Sequence, residues 1–281
     1  MEKLISFDKS EIEKIEMNLL LEGIYRLYGV DFRNYSAPFV KRRTEHRIRT
    51  EKLSGISDLQ QKILYDPLLM RRLFNDFSIN VTEMFRDPSF FLAFRTKVVP
   101  LLRNYPTIRI WHVGCATGEE VLSMAILLHE EGLYKKTRLY ATDISEAALD
   151  QAKKAMMPLN KMKNYTKNYL EAGGTSAFSE YYVARESCAA FHSFLTENVV
   201  FAQHNLATDQ SFNEFHVIIC RNVMIYFNKS LQNRVLHLLH ESLSASGFLG
   251  LGSKEGIQFT DIANYYEEVD SDEKLYRKIH S

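Results

Sequence analysis

The second part of the chain alternates short β-rich runs with helical stretches. Ile108–Val113 is a run of strand-forming residues that ends at Gly114, and the helical stretch Glu119–Glu130 follows it. Thr137–Thr142 predicts a second strand, and Ser145–Ala155 predicts the helix after it. Strands that are joined by helices run parallel within one sheet. The alternation therefore predicts an α/β fold built on a doubly wound parallel sheet.

The same pattern resumes closer to the C-terminus. Three further runs predict strands: Val199–Gln203, His216–Cys220 and Phe248–Leu251. Ser230–Ser244 predicts a long helix before the last of them. Two final runs predict a closing hairpin: Tyr265–Val269 and Leu275–Ile279.

A segment of about residues 160–195 interrupts the pattern. It holds the aromatic run Phe178–Tyr182, and apolar residues alternate at Tyr182 and Ala184 and again near Phe191. These features predict a small antiparallel β insertion within the sheet domain. A structureless loop is the alternative, although loops of this length are uncommon.

The first hundred residues are typical of helices. In Glu11–Tyr28 the apolar residues recur at helical spacing, and Gly29 follows as a candidate C-cap. Four further segments predict helices: Pro38–Leu53, Asp58–Tyr65, Pro67–Phe77 and Pro88–Leu102. We therefore expect an all-helical N-terminal domain with its linker over residues 1–105, and the α/β domain over residues 106–281.

The charge balance excludes a protein that coats nucleic acid. The 281 residues include 35 basic and 35 acidic side chains, whereas phosphate binding needs a basic surplus. The balance is uneven along the chain, because residues 1–105 hold 18 basic and 14 acidic side chains. Five of the basic residues fall within one predicted helix: Lys41, Arg42, Arg43, Arg47 and Arg49. This basic segment is either a solvated helix face or a docking surface for an acidic partner.

Cysteine use and hydropathy point to the cytoplasm. The three cysteines, Cys115, Cys188 and Cys220, are too few and too scattered for a disulfide framework or a zinc site. No apolar stretch has the length of a signal peptide core or of a membrane span. We expect a soluble cytoplasmic protein with no metal and no membrane insertion.

The loop between the first predicted strand and its helix is a candidate ligand site. Gly114 permits a tight turn and a close approach of a ligand to the backbone. Two carboxylates, Glu119 and Glu120, open the next helix, where they would repel phosphate and attract a cation. The loop therefore favours S-adenosylmethionine, which is positive at its sulfonium and ammonium groups, over NAD or ATP.

Polar residues follow the other predicted strands at the edge where open α/β sheets bind ligands. Asp143 is a candidate acceptor for ribose hydroxyls or a helix N-cap, a role for which Ser145 competes. Asn205 with Leu206 suits an adenine ring or forms an Asx turn. Arg221 and Asn222 follow the fourth strand at the same edge.

The segment Asn80–Asp87 precedes the sheet. Asn80 or Thr82 could cap a helix. Arg86 presents a planar fork that suits a carboxylate.

These motifs together resemble the CheR family, the chemotaxis receptor glutamate methyltransferases. Four stretches carry the resemblance: Asn80–Phe90, Ile110–Ala125, Ala141–Ala155 and Phe215–Phe227. The resemblance implies an N-terminal all-helical domain followed by a Rossmann-like S-adenosylmethionine-dependent methyltransferase domain with a small antiparallel β insertion. It implies O-methylation of glutamate side chains on methyl-accepting chemotaxis receptors, with S-adenosylhomocysteine as the product.

The resemblance also implies roles for individual residues. It makes Arg86 and Tyr226 an active-site pair near the transferable methyl group. It assigns the cofactor to ten residues: Asn80, Thr82, Arg86, Gly114, Glu120, Asp143, Asn205, Leu206, Arg221 and Asn222. Arg43 and Arg47 become candidates for docking the helical region of a receptor, and the β insertion becomes a candidate site for a receptor C-terminal tail.

One stretch departs from the family pattern. Many members carry Ser-Glu-Asn after the fifth strand, where this chain has Gly252-Ser253-Lys254-Glu255-Gly256. Two alternatives stay open at this point. The chain could sense S-adenosylmethionine or S-adenosylhomocysteine without catalysis, or it could methylate a substrate other than a receptor.

Overall fold

The computed structural model describes residues 8–279. By its internal contacts the chain divides into two compact units. One unit comprises the chain up to Ile79 together with Tyr226–Gln232, and the other comprises Asn80–Ile225 and the chain from Asn233 onward. Residues 80–105, which the sequence places with the helical region, therefore group with the sheet.

The first unit is a bundle of four helices. They are α1 (Lys9–Tyr28), α2 (Ala37–Thr50), α3 (Ile56–Tyr65) and α4 (Pro67–Phe77). Asp8 caps α1 by accepting the N–H of Ser10, and Gly29 ends it in the left-handed conformation. The core is made of apolar side chains from all four helices and the α1–α2 loop, among them Leu20, Ile24, Phe32, Phe39, Leu59, Leu73 and Phe77.

The second unit contains all ten strands found in residues 8–279. They are β1 (Ile108–Val113), β2 (Thr137–Asp143), β3 (Met156–Pro158), β4 (Tyr182–Ala184), β5 (Cys188–Phe191), β6 (Val199–Gln203), β7 (Phe215–Cys220), β8 (Leu243–Leu251), β9 (Tyr266–Asp270) and β10 (Leu275–Lys278). Its helices are α5 (Pro88–Ala93), α6 (Val99–Leu102), α7 (Glu119–Glu130), α8 (Glu146–Lys154), α9 (Met162–Glu171) and most of α10 (Lys229–Ser242).

Seven strands form one sheet in the order β6-β2-β1-β7-β8-β10-β9. The first five are parallel, and β10 pairs antiparallel with both β8 and β9. In the centre, Ile110 of β1 lies between Leu139 of β2 and Val217 of β7. This arrangement confirms the predicted α/β sheet and its closing hairpin. Because the parallel strands end at one edge, the loops after β1, β2, β6 and β7 meet there.

The predicted insertion is a second, three-stranded sheet. Its order is β3-β5-β4, and both pairings are antiparallel. Strand β3 begins at Met156, earlier than the expected start near residue 160. The insertion also contains α9, which the sequence reading missed, although Met162, Tyr165 and Tyr169 are buried at helical spacing.

Several boundaries differ by a few residues from the sequence expectation, and two differences affect the second unit. The predicted helix Pro88–Leu102 is divided by a π-helical segment, Phe94–Val98, between α5 and α6. Strand β8 begins at Leu243, so that α10 ends two residues earlier than expected. Within the described part of the chain, no helix combines the length and the apolar content needed to cross a bilayer.

Candidate functional site

Two glycines shape the loop after β1. Gly114 has a φ of 66° and Gly118 a φ of 90°, a conformation that glycine adopts without strain. A Cβ atom on Gly114 would lie 2.6 Å from Cγ2 of Val223, so the turn after β7 packs directly on this loop. Between the glycines, Ala116 has a φ of 48°. Residues other than glycine hold this conformation only where their surroundings fix it, and such positions concentrate at functional sites.

Asp143 ends β2 and fixes the same loop. Its Oδ2 accepts the N–H of Ala116 at 2.9 Å, and its Oδ1 accepts the N–H of Ser145 at 2.8 Å. Ser145 itself caps α8, so the N-cap alternative for Asp143 is wrong. Burial raises the pKa of Asp143 above its usual 3.8, although its backbone hydrogen bonds oppose the shift. A carboxylate offers about four acceptor positions, and Asp143 uses three of them for the N–H groups of Ala116, Ser145 and Ile144, which leaves one for a ligand hydroxyl.

Glu120, in the first turn of α7, is an ionised carboxylate with access to solvent. Its Oε1 lies 3.0 Å from Nδ1 of His112, and its Oε2 accepts Nη1 of Arg221 at 3.2 Å. Burial opposes ionisation of Glu120, but the hydrogen bond to His112 and the charge of Arg221 outweigh burial and lower its pKa. The side chain is 17% exposed, so Glu120 can meet a cationic group of a ligand.

Glu119 differs from its neighbour. It is buried and accepts the hydroxyl of Thr117 at 2.6 Å. Burial raises the pKa of Glu119. Only the second glutamate of the pair therefore offers an exposed negative charge.

Arg221 follows β7 and joins three parts of the site. Besides Glu120, it donates to the carbonyl of Arg86 at 3.1 Å and pairs with Asp87 at 2.7 Å. Its guanidinium carbon lies 4.0 Å from the ring centroid of Phe90, a cation–π contact. The side chain is only 2% exposed. Arg221 therefore acts inside the protein, where it orients Glu120 and the Arg86 segment.

Arg86 itself is held on a constrained backbone. Phe85 and Asp87 flank it with φ values of 50° and 53°, and the Phe85 ring is fully buried. The guanidinium of Arg86 makes no hydrogen bond or ion pair within residues 8–279, whereas that of Arg221 is committed. Arg86 thus presents a partly exposed guanidinium that no carboxylate among residues 8–279 pairs with.

Two residues that the sequence reading missed support this segment. The hydroxyl of Ser123 in α7 accepts the N–H of Phe85 at 2.8 Å. The side-chain amide of Asn168 in α9 donates to the carbonyl of Met84 at 3.0 Å. Both supports join a polar side chain to the backbone of a residue distant in sequence, which no local sequence pattern indicates.

The remaining predicted cofactor residues differ in how the structure holds them. The Oδ1 of Asn205 accepts the N–H of Ala207 at 3.0 Å, so the Asx turn is present, and Leu206 beside it is 9% exposed. Asn80 is exposed and Thr82 half-buried, and neither side chain is hydrogen-bonded within the described ranges. Asn222 has a φ of 61° in the turn after β7.

The loops after β1, β2 and β7 and the segment before α5 are therefore tied together by direct contacts. An ionised Glu120 suits a cation, Asp143 suits hydroxyls, and the amide of Asn205 beside Leu206 suits a planar base. No group of three or more potential metal-ligating side chains occurs in residues 8–279. Cys115 and Cys220 are buried free thiols, and burial raises the pKa of each well above its usual value. This set of groups fits a nucleoside that carries positive charge.

Comparison with known proteins gives the family. Residues 80–275 match the family described as "CheR methyltransferase, SAM binding domain", and residues 15–78 match "CheR methyltransferase, all-alpha domain". The chain belongs to the CheR methyltransferase family. It is an enzyme whose methyl donor is S-adenosylmethionine and whose product is S-adenosylhomocysteine. The matched domains and the observed sheets confirm the helical domain and the Rossmann-like methyltransferase domain.

Individual relatives agree with this assignment. A Pseudomonas putida protein named "Putative methyltransferase Cher3" is 49% identical over 264 residues, which cover 94% of this chain and 97% of that protein. "Chemotaxis protein methyltransferase 2" of Pseudomonas aeruginosa is 27% identical, covering 83% of this chain and 84% of the relative. "Chemotaxis protein methyltransferase" of Borreliella burgdorferi is 26% identical, covering 88% and 90%.

In this CheR chain, Tyr226 belongs to the helical unit. Its ring centroid lies 5.0 Å from that of Phe39 in α2, and its carbonyl accepts the N–H of Ser36 at 2.8 Å. Next to it, Phe227 forms an isolated antiparallel bridge with Tyr35. The start of α2 thus fixes the backbone and the ring of Tyr226.

The basic segment of α2 is less available than its charge suggests. Arg47 is 8% exposed, pairs with Asp76 at 2.7 Å and Glu51 at 3.0 Å, and donates to a backbone carbonyl. A guanidinium committed in this way cannot also dock a partner, so the structure does not support the predicted docking role of Arg47. Arg43 is half-buried with its guanidinium carbon 5.9 Å from the Phe39 ring centroid, and Arg42 is exposed.

Glu255 is a further residue that the sequence reading did not assign. It lies in the stretch that departs from the family pattern, yet it is buried and bonded to the turn after β7. Lys254 beside it is exposed.

Proposed function

We propose that this chain transfers methyl groups from S-adenosylmethionine to glutamate side chains of methyl-accepting chemotaxis receptors. The observation that carries the proposal is the guanidinium of Arg86, which has no partner among the described residues and lies on a backbone that Arg221 holds in place. A cation fixed beside a site for a positive cofactor would attract an anionic acceptor. Three relatives whose printed names call them chemotaxis methyltransferases support the same assignment.

The acceptor carboxylate needs no general base. Glutamate has a reference pKa of about 4.3, so its side chain is already ionised at neutral pH. When bound, S-adenosylmethionine supplies a methyl group on a cationic sulfur, and as the new carbon–oxygen bond forms, the carbon–sulfur pair stays on sulfur to give S-adenosylhomocysteine. An anion and a cation thus become a neutral ester and a neutral thioether. The protein's residues therefore contribute by orientation and exclusion of water.

Arg86 would hold the acceptor carboxylate through its planar fork, with one oxygen left to react. Glu120 would hold the positive end of the cofactor, and Asp143 its ribose hydroxyls. Asn205 and Leu206 would frame the adenine. Asn80, Thr82, Gly114 and Asn222 complete the proposed cofactor set.

Tyr226 would assist at the acceptor through its hydroxyl. Its support is the rigid setting that Phe39 and Ser36 provide. Tyr226→Phe removes the hydroxyl and keeps the ring contact, so it separates a catalytic role from a packing role. A catalytic hydroxyl predicts a lower kcat with unchanged S-adenosylhomocysteine affinity.

Docking of the receptor would involve Arg43 and its exposed neighbour Arg42 on α2. The helical region of a methyl-accepting receptor presents glutamates, which complement this charge. The small sheet offers a second contact for a receptor C-terminal tail. Strand β4 lies at its edge with Val183 54% exposed, and an extended peptide could add to such an edge by backbone hydrogen bonds.

The test is methyl transfer by the pure protein. It is incubated with methyl-labelled S-adenosylmethionine and a membrane fraction that contains chemotaxis receptors. Base-labile label on receptor-sized bands supports the proposal. Label on other proteins or small molecules would indicate a different acceptor, and cofactor binding without any transfer would indicate a sensor.

A further inference from the structure

A single buried carboxylate, that of Glu255, accepts hydrogen bonds from the backbone of the turn after β7. Oε1 of Glu255 accepts the N–H groups of Val223 at 2.9 Å and Met224 at 2.7 Å. Its Oε2 accepts those of Asn222 at 2.7 Å and Gly252 at 2.8 Å. Three consecutive N–H groups of one turn therefore converge on one side chain. Backbone donors that point the same way in a buried turn require an acceptor, and an anion is the strongest one.

The chain makes room for this carboxylate at Gly252. A Cβ atom there would lie 2.6 Å from Oε2 of Glu255 and 2.8 Å from the nitrogen of Asn222. Gly252 has no positive φ that would call for glycine. The absence of a side chain at this position therefore serves the approach of the carboxylate to the turn.

The turn that Glu255 holds contains a residue in a strained backbone conformation. Asn222 is left-handed at a φ of 61°, which costs free energy unless its surroundings impose it. Its N–H donates to Glu255, and this bond fixes the peptide orientation that the unusual φ creates. Removal of the acceptor would release both the strain and the three donors.

Displacement of the turn would reach the cofactor loop directly. Val223 fills the space above Gly114, where its Cγ2 lies 2.6 Å from the position of an added Cβ. At the start of the turn, Arg221 bonds Glu120 at 3.2 Å. The turn after β7 therefore contacts both the loop after β1, through Val223, and Glu120, through Arg221.

We infer that Glu255 is a positioning residue of the cofactor site: its carboxylate sets the Asn222–Met224 turn and, through Val223 and Arg221, the geometry of Gly114 and Glu120. The inference rests on the proposed cofactor site but not on the identity of the acceptor. Glu255 touches no reacting atom. It acts through the backbone that it holds.

Glu130 provides a matched control. It is a second carboxylate with a nearly buried side chain, 3% exposed, that is bonded to Arg95, Tyr181 and the N–H of Thr175. It lies at the end of α7 opposite to Glu120 and bonds none of the proposed cofactor residues. Loss of the Glu130 charge should lower stability, as loss of the Glu255 charge does, but it should not displace the Asn222–Met224 turn.

The experiment compares Glu255→Gln with Glu130→Gln in the full chain. Whichever oxygen of Glu255 becomes an amide nitrogen, two backbone donors lose their acceptor. S-adenosylhomocysteine affinity is measured by calorimetry, KM and kcat by methyl transfer, and stability by thermal unfolding. We expect Glu255→Gln to weaken S-adenosylhomocysteine binding and raise the KM for S-adenosylmethionine by about tenfold or more. Glu130→Gln should lower the melting temperature and leave both constants within about twofold.

Two further variants keep the test decisive if Glu255→Gln folds poorly. Gly252→Ala crowds the carboxylate but removes no charge, and it should raise KM in the same direction. Glu255→Asp keeps the charge on a shorter side chain and should recover part of the affinity. If the folded variants at positions 252 and 255 bind S-adenosylhomocysteine as the wild type does, the inference is wrong.

These outcomes separate the inference from the proposed function. A wild type that binds S-adenosylhomocysteine but does not methylate receptors contradicts the acceptor assignment, and the binding arm still tests Glu255. A wild type that methylates receptors while Glu255→Gln binds normally contradicts only the inference.

Discussion

The aromatic ring of Phe39 lies against that of Tyr226, with the centroids 5.0 Å apart and the planes inclined by 45°. Phe39 is in α2, the helix that carries the basic segment, whereas Tyr226 directly follows the Cys220–Ile225 segment in sequence. The helix proposed to dock the receptor thus also fixes the proposed active-site tyrosine. The proposed receptor docking and the placement of Tyr226 therefore depend on the same helix.

Phe39→Leu should therefore affect turnover more than folding. The smaller side chain loosens the Tyr226 ring, so we expect kcat to fall severalfold while S-adenosylhomocysteine affinity is unchanged. Phe32→Leu is the control, because Phe32 is equally buried in the same core and contacts Phe77 and Tyr35 rather than Tyr226. Steady-state methyl transfer measures kcat and thermal unfolding measures stability for both variants, Phe39→Leu and Phe32→Leu. If kcat falls equally in both variants, the loss comes from disruption of the helical core, and the Phe39–Tyr226 contact has no specific role in turnover.

Arg86 and Arg221 should give opposite phenotypes. We expect Arg86→Ala to keep S-adenosylhomocysteine affinity within about an order of magnitude and to abolish turnover, because its guanidinium serves the acceptor. Arg221→Ala leaves Glu120 and Asp87 without their cation, so it should weaken cofactor binding and lower stability by about 3 kcal/mol. Calorimetry, methyl transfer and denaturant unfolding give the three readouts. Methyl transfer by Arg86→Ala at the wild-type rate would contradict its role.

The basic segment of α2 offers a contrast within one helix. Arg43→Glu should weaken transfer to receptor, and the loss should shrink as salt screens the interaction, with cofactor affinity unchanged. Arg47→Glu breaks a buried pair with Asp76 and should instead lower stability by about 3 kcal/mol. Receptor titrations at two salt concentrations, together with unfolding curves, separate the two. If Arg43→Glu loses cofactor and receptor affinity equally, docking is not its function.

Cofactor affinity should fall on acidification because of Asp143. Burial raises the pKa of Asp143 above 3.8, so it takes up a proton at a less acidic pH than an ordinary aspartate does. A protonated carboxyl accepts ribose hydroxyls poorly, which weakens binding as the pH decreases. Asp143→Asn should bind more weakly at neutral pH and lose part of this pH dependence. Burial also raises the pKa values of Glu119 and Glu255, whose contribution the variant retains. An unchanged pH profile in Asp143→Asn would assign the dependence to those groups.

Periodic patterns explain why the sequence predicts so much of the fold. The strand–helix alternation gives every parallel strand of the large sheet to within a few residues, except that β8 begins five residues earlier than expected, at Leu243. The sequence pattern did not identify helix α9, because its three buried apolar residues are interspersed with lysine and asparagine. The motifs placed Gly114, Glu120 and Asp143 at one sheet edge, since parallel strands end together.

The missed features depend on contacts between distant residues. Arg47 and Arg43 share one helix, yet Arg47 is internal because Asp76 and the carbonyl of Arg72, both in α4, meet its guanidinium. Likewise, nothing adjacent to Glu255 in sequence shows that three N–H groups from residues 222–224 will meet its carboxylate. The sequence identifies which residues are polar, and tertiary structure decides whether they face a ligand or the protein.

The most direct test of the proposed function locates the transferred methyl group. A purified receptor cytoplasmic fragment is incubated with the enzyme and S-adenosylmethionine, and its peptides are sequenced by mass spectrometry before and after mild base. The proposal predicts methyl esters on glutamate side chains that are lost in base and absent when Arg86→Ala replaces the wild type. Base-stable methylation of other side chains, or an unmodified receptor with S-adenosylhomocysteine bound to the enzyme, would contradict it.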